Sequence, residues 1–213
     1  MADTTPTTTG RKGGIPRWAI TLGVLAIIGI ILYNFFAGSY NKMVKMDEEV
    51  NKTWANVQTQ YQRRADLIPN LVETVKGYAN FEQETLTEIA KLRAQAGQSK
   101  IDVGNAQNPA EIEAAMGGAN SALSRLLVIV ENYPDLKANQ NFLELQAEIA
   151  GTENRIQVAR MDFNNSIQPY NTYIRSFPRN LIAGMYGFSK RDQFEAQAGA
   201  DTTPTVDFNT GDK

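Results

Sequence analysis

The sequence predicts an all-α protein: an antiparallel, up-and-down four-helix bundle behind an N-terminal transmembrane helix. Three observations predict it. The stretch from Trp18 to Ala37 carries no charge. After it, apolar residues recur at alternating spacings of three and four, the period of a helix with one buried stripe. The β-branched runs bounded by turns that mark strands are absent from that region.

Residues 1–16 are rich in Thr, Pro and Gly and read as a disordered tail, because such a composition cannot bury a core. Residues 17–38 read as the transmembrane helix. At 1.5 Å per residue, roughly twenty residues cross the ~30 Å hydrocarbon layer. Trp18 lies at one end and Tyr33 and Tyr40 near the other, where amphipathic rings favour the headgroup level. Ala37-Gly38-Ser39 also offers a small-x-small cleavage site, so a removed signal peptide is the competing reading. The apolar stretch exceeds the roughly 7–15 residues of a signal core, which favours a retained anchor. Arg11, Lys12 and Arg17 precede the span and Lys42, Lys45 and Lys52 follow it, so the flanking cations balance. The N-terminal amine and the position of Arg17 tip the reading toward an extracytoplasmic bundle.

Residues 39–191 form the expected bundle. Its first helix carries Met43, Met46, Val50, Trp54, Val57 and Tyr61. Pro69 disfavours helical backbone at Ile68, which predicts an end or kink there, with Asp66 capping the helix that follows. That second helix carries Ile68, Leu71, Val75 and Tyr78 and resumes at Leu86 and Ile89. Gly97–Pro109 reads as a polar loop, and Asn108-Pro109 as the start of a third helix through Ile112, Ala119, Leu126 and Val130. Tyr133-Pro134 ends it, and Asp135 or Asn139 opens the fourth. The fourth seam is the longest, running from Phe142 through Ile149, Ile156, Phe163 and Tyr170 to Phe177. Short links between long amphipathic helices make them antiparallel neighbours. Residues 192–213 read as a flexible C-terminal tail.

Composition excludes much chemistry. The 213 residues hold 21 Lys+Arg against 23 Asp+Glu, a balance that argues against a nucleic-acid surface spread over the molecule. With no Cys, disulfides, iron–sulfur clusters, zinc ribbons and thiol nucleophiles are out; with no His, so are serine-type triads and HExxH zinc sites. No cofactor, metal site or catalytic residue is expected. Glu82, Glu84, Glu88, Glu111 and Glu113 could in principle work as acid–base pairs. They flank helix starts, where negative charge complements the dipole, and capping or solvation accounts for them. A carboxylate-based hydrolase or metal-dependent enzyme is therefore the alternative reading.

Two polar lines stand out. Glu153, Gln157, Arg160 and Asn164, with Asn171 further on, share one flank of the fourth helix and could form a ladder of neighbours. Asn56, Gln60 and Arg63 make a shorter line on the first, ending in Arg63-Arg64 and Asp66. One reading is two solvated faces. The other has the lines facing each other, with Arg63 or Arg64 meeting Glu153. Arg63, Arg64, Asp66, Glu153, Arg160, Asn164 and Asn171 are accordingly the candidate structural and interaction residues.

The order of motifs resembles the LemA family. It is carried by Tyr61-Gln62-Arg63-Arg64-Ala65-Asp66-Leu67-Ile68-Pro69-Asn70, by Glu131-Asn132-Tyr133-Pro134-Asp135-Leu136-Lys137, and by Thr152-Glu153-Asn154-Arg155-Ile156. Ala159-Arg160, Tyr170-Asn171, Phe177-Pro178 and the tail element Pro204-Thr205-Val206-Asp207-Phe208 belong to the same set. Phe163-Asn164 departs from it by one hydroxyl. The resemblance covers about residues 40–208. It implies a bacterial envelope protein with one N-terminal transmembrane helix and an antiparallel helical bundle, and it brings no catalytic activity. It also implies an outward N-terminus, opposite to the lean of the charges. Together these readings predict a membrane-anchored, non-catalytic interaction or scaffold module in the bacterial inner membrane. Its expected partners are the bilayer through Trp18–Ala37, other envelope proteins, and a second copy through the small-residue face Ala19, Gly23, Ala26.

Overall fold

The computed structural model describes residues 17–77 and 81–195. The expected disordered N-terminal tail, the tail beyond Glu195 and Tyr78 lie outside the described residues. The fold is all-α among the described residues. Its helices are α1 (Arg17–Lys76), α2 (Gln83–Asn105), α3 (Pro109–Glu131), α4 (Pro134–Lys137), α5 (Gln140–Arg175) and α6 (Arg179–Tyr186).

α1 is the common element. At 60 residues it extends about 90 Å at 1.5 Å per residue. Its N-terminal stretch is the apolar segment, with a mean hydropathy of 2.3 and no residue of that window buried. The rest is the spine on which both α5 and the α2–α3 hairpin pack. Side-chain pairs give the directions. Thr53 meets Ser166 and Arg64 meets Glu153, so α5 runs antiparallel to α1. Glu73 meets Arg93 and Asp66 meets Lys100, so α2 does too. Glu88 meets Arg125 and Ser99 lies beside Gly118, which makes α3 antiparallel to α2. Among the described residues α3 and α5 share no interface comparable to these, and Arg160–Glu113 bridges them. The other three long helices thus gather on α1 more than they close into a ring.

Two expected boundaries are corrected. Pro69 neither ends α1 nor begins a helix capped by Asp66; α1 continues to Lys76 with Pro69 inside it. Proline in a helix interior loses a hydrogen bond and costs about 3 kcal/mol. Here burial of Ala65, Ile68, Leu71, Val72 and Val75 on both sides of it outweighs that cost. The polar stretch from Gly97 to Asn105 is helical, not a loop, and only Ala106 to Asn108 links α2 to α3. Ser99 and Val103, four apart, are buried, while Gln98 and Asp102 hydrogen-bond on the solvent side. A polar composition there marks the wet face of an ordered helix.

Other expectations match the structure. Asn108 caps α3 by accepting from the Glu111 N–H (3.0 Å), and the Glu111 carboxylate reaches back to accept from the N–H of Gln107, one residue before the cap (2.7 Å), with Pro109 in the first turn. Asn139 caps α5 by accepting from the Phe142 N–H. The α5 seam is buried at Phe142, Ile149, Ile156, Phe163, Ile167, Tyr170 and Ile174. It stops there: Phe177 lies past the helix end and is 81% exposed. Gly187 ends α6 at φ 78°, a left-handed conformation that favours glycine, and Phe188 N–H closes the cap on Ala183 O. The chain then turns back as a strap without secondary structure, residues 188–195. The bundle's packing reaches Phe194, past the expected boundary at 191, because Phe194 is itself buried.

Candidate functional site

The polar line on α5 is a clamp for this strap. A side-chain amide carries an acceptor oxygen beside a donor NH2, and one lone pair and one N–H of that pair match the N–H and C=O of a single extended residue. Asn171 uses both on Arg191, donating Nδ2–H to its carbonyl (2.9 Å) and accepting from its N–H at 3.0 Å. Asn164, two turns earlier, does the same to Phe194, with 2.9 Å and 3.0 Å. Two residues before the Arg191 clamp, Ser189 O accepts the hydroxyl hydrogen of Tyr170 (3.1 Å). The Arg191 guanidinium reaches across to α1, where it donates to Asp47 Oδ1 at 3.0 Å and Asn51 Oδ1 at 3.4 Å.

Phe194 closes the site. Its ring lies 5.7 Å from that of Phe163 and within about 6.4 Å of Trp54 and Tyr61, so the strap plugs an aromatic cluster between α1 and α5. The Arg160 guanidinium covers the Phe194 ring at 4.5 Å and pairs with Glu113 of α3 at 2.6 Å. One segment thereby ties three helices. Burial raises the Tyr61 pKa above its usual value, with the Glu113 charge adding to the rise and Arg160 opposing it. The Tyr170 pKa is likewise raised, first by burial and then by Asp47. Burial works against the Arg191 cation, but the bond and charge of Asp47, with help from Tyr170, outweigh it and its pKa is raised.

Further along the α1–α5 seam, Arg64 pairs with Glu153. Its side chain is only 15% exposed, burial lowers its pKa against the opposing influence of Tyr61, and its Nε lacks a hydrogen-bond partner among the described residues. Arg63 takes Glu148 instead, at 2.6 Å. Asp66 accepts from Gln62 and pairs with Lys100 of α2 at 2.9 Å. So the two polar lines do face each other at Arg64–Glu153. The ladder along α5 does not form: Arg160 turns to Glu113 and Asn164 to the strap, while Gln157 stays exposed. All seven candidate residues therefore have partners inside the protein. The carboxylates weighed for acid–base work are placed too: Glu111 caps α3, Glu113 holds Arg160, and Glu88 lies 3.7 Å from Arg125.

Sequence reasoning missed the other half of the clamp: Asp47, Arg191 and Phe194. A signal was there. Asn164 and Asn171 each follow a seam residue, Phe163 and Tyr170, so both amides sit at the edge of the core. A buried amide needs a partner with both donor and acceptor, and an extended backbone is the simplest. The lone aromatic in Arg191-Asp192-Gln193-Phe194-Glu195 was the residue to dock there.

Fold and site together define a membrane-associated helical-bundle protein whose C-terminal strap is clamped on its two longest helices. The profile of the LemA family matches residues 53–208, and the chain belongs to that family. It is 28% identical to Protein LemA of Metamycoplasma hominis, over 80% of this chain and 74% of the relative. It is 25% identical to Magnetosome protein MamQ 2 of Paramagnetospirillum magneticum, over 95% of this chain and 80% of the relative. It is also 26% identical to Magnetosome protein MamQ of Magnetospirillum gryphiswaldense, over 97% and 82% respectively.

Proposed function

We propose that the protein is a single-pass, membrane-anchored scaffold of the bacterial cell envelope that acts by holding other envelope proteins and performs no chemistry of its own. One observation carries the reading: α1 continues without interruption from the apolar segment to the far end of the bundle. A continuous helix transmits position and orientation, so the bundle stands at a fixed attitude to the bilayer instead of swinging on a linker. The clamp supports the reading from another side. The polar residues of α1 and α5 fix helix register and hold the strap. The position of Arg17 immediately before the span favours an extracytoplasmic bundle.

The test is crosslinking in the native membrane. A specific partner protein is expected with the intact chain. It should be weakened when three residues are inserted in α1 just after Ala37, which rotates the bundle relative to the span without touching its surface. Absence of any specific crosslinked protein rejects the scaffold reading. A partner held equally well after the insertion rejects the role given to the continuous helix.

A further inference from the structure

We propose that α6 and the cations around Tyr173 form a second membrane contact, a site for anionic phospholipid headgroups beside the span; this rests on Trp18–Ala37 lying in a bilayer. α6 is apolar on two flanks. Ile182 and Ala183 are buried against the bundle. Leu181 and Met185, four residues apart along another line, are 60% and 76% exposed, and Phe177, just before the helix, is 81% exposed. Large apolar side chains in such a row, on a short helix, mark a contact surface.

Position names the occupant. Tyr186 at the end of α6 lies 4.8 Å ring to ring from Tyr40, and Phe188 lies 5.9 Å from the same ring. Tyr40 is only about 4.5 Å along the helix axis beyond Ala37, at 1.5 Å per residue. The headgroup layer on each face is about 5–8 Å deep. α6 therefore sits at headgroup level, where its exposed row meets the acyl boundary.

Charge agrees. Lys42 Nζ and the Arg179 guanidinium converge on the Tyr173 ring at 4.9 Å and 4.4 Å. No carboxylate pairs with either among the described residues, and Arg179 Nε is buried without a hydrogen-bond partner. Arg63, Arg64, Arg160 and Arg191, higher on the bundle, each have an acid partner. Between Tyr173, Ser176, Thr172, Met46 and Arg179 lies a groove of about 520 Å³. Two unneutralised cations beside hydroxyls and an aromatic face, at the edge of a bilayer, suit a lipid phosphate.

The test uses the full chain in vesicles of phosphatidylcholine, with or without phosphatidylglycerol. Because the chain lacks Cys, one environment-sensitive probe can be placed by Met185→Cys, Ile27→Cys or Val128→Cys. Lipids carrying a nitroxide near the headgroup or along the acyl chain supply the quenching. The probe at 185 is expected to shift to the blue and lose intensity to the headgroup quencher, more strongly with phosphatidylglycerol, while the probe at 128 reports water. Lys42→Gln and Arg179→Gln should each lower the preference for the anionic vesicles roughly fivefold. If the probe at 185 is as wet as that at 128 while the probe at 27 is quenched by the acyl nitroxide, α6 does not touch the membrane and the inference is overturned. If the probe at 27 is also wet, the reading of the span itself has failed. Insertion of α6 that ignores both phosphatidylglycerol and the two cations overturns the headgroup site.

Discussion

The two sides of α1 are fastened by different means. On the α5 side, polar groups with defined geometry do the holding: paired amide bonds to the strap backbone, the Arg64–Glu153 pair, and the Phe194 plug beneath Arg160. On the other side, small residues let α2 and α3 approach each other closely within the hairpin that packs on α1. Ala96, Ser99, Ala119 and Ala122 are buried, and a Cβ on Gly118 would stand 2.6 Å from Ser99 Oγ. The ion pairs there, such as Arg93–Glu73 and Lys100–Asp66, have both partners largely exposed. The difference separates register from adhesion. Paired hydrogen bonds that read backbone fix one alignment of α5 and the strap, whereas the hairpin side has a single such bond to α1, Gln58 Nε2–H to Ala106 O at 3.0 Å, and is held mainly by shape and apolar area.

Substitutions can break each side on its own terms. Phe194→Ala should have the largest effect, on the order of 3 kcal/mol of unfolding free energy, the usual cost of emptying an aromatic site. Denaturant unfolding of the full chain in detergent measures it, and a loss no larger than that of an exposed aromatic would mean the strap is not part of the core. Gly118→Val comes next, at about 1–3 kcal/mol, from overpacking against Ser99. Gly118→Ala should cost much less, since Ser99 Oγ can rotate away and alanine favours helix. Equal losses for the two would show that volume does not limit the hairpin side.

Alkali should act on the α5 side through Tyr61 and Tyr170. Both pKa values are raised above that of an ordinary tyrosine by burial, so the folded state holds these protons more tightly than the unfolded one. Their contribution is intact below pH 10 and is lost as pH rises through the folded values. Tyr61→Phe should therefore flatten the loss of stability above about pH 10. An unchanged alkaline limb in both Tyr61→Phe and Tyr170→Phe would contradict the burial argument. The smallest effects belong to the ion pairs. A double-mutant cycle on Arg63 and Glu148, 53% and 37% exposed, should give under ~1 kcal/mol, and one on Arg64 and Glu153 more. The reverse order would make burial irrelevant to these pairs.

Most of the fold was legible because its signals are local or periodic. The α5 seam from Phe142 to Ile174 and the caps at Asn108 and Asn139 follow from spacing and side-chain chemistry alone. What failed were places where packing overrides local preference. Pro69 is carried through α1 by buried neighbours, and Gly97–Asn105 stays helical because Ser99 and Val103 reach the core. The site was half legible. Asn164, Asn171 and Arg160 could be picked out on α5, but their partners lie some twenty to fifty residues away in sequence, at Arg191, Phe194 and Glu113. Nothing periodic marks a strap, since an extended segment bound through its backbone carries few side-chain requirements.

The clamp itself is best tested by amide hydrogen exchange on the full chain, read at Arg191 and Phe194. Each N–H donates to one asparagine, at 3.0 Å, in a segment that otherwise has no secondary structure. Strong protection of these two amides is expected, with Asn171→Ala releasing Arg191 and Asn164→Ala releasing Phe194 while the α5 amides stay protected. Exchange at Arg191 and Phe194 as fast as in an unfolded chain, or protection that survives both substitutions, would contradict the account.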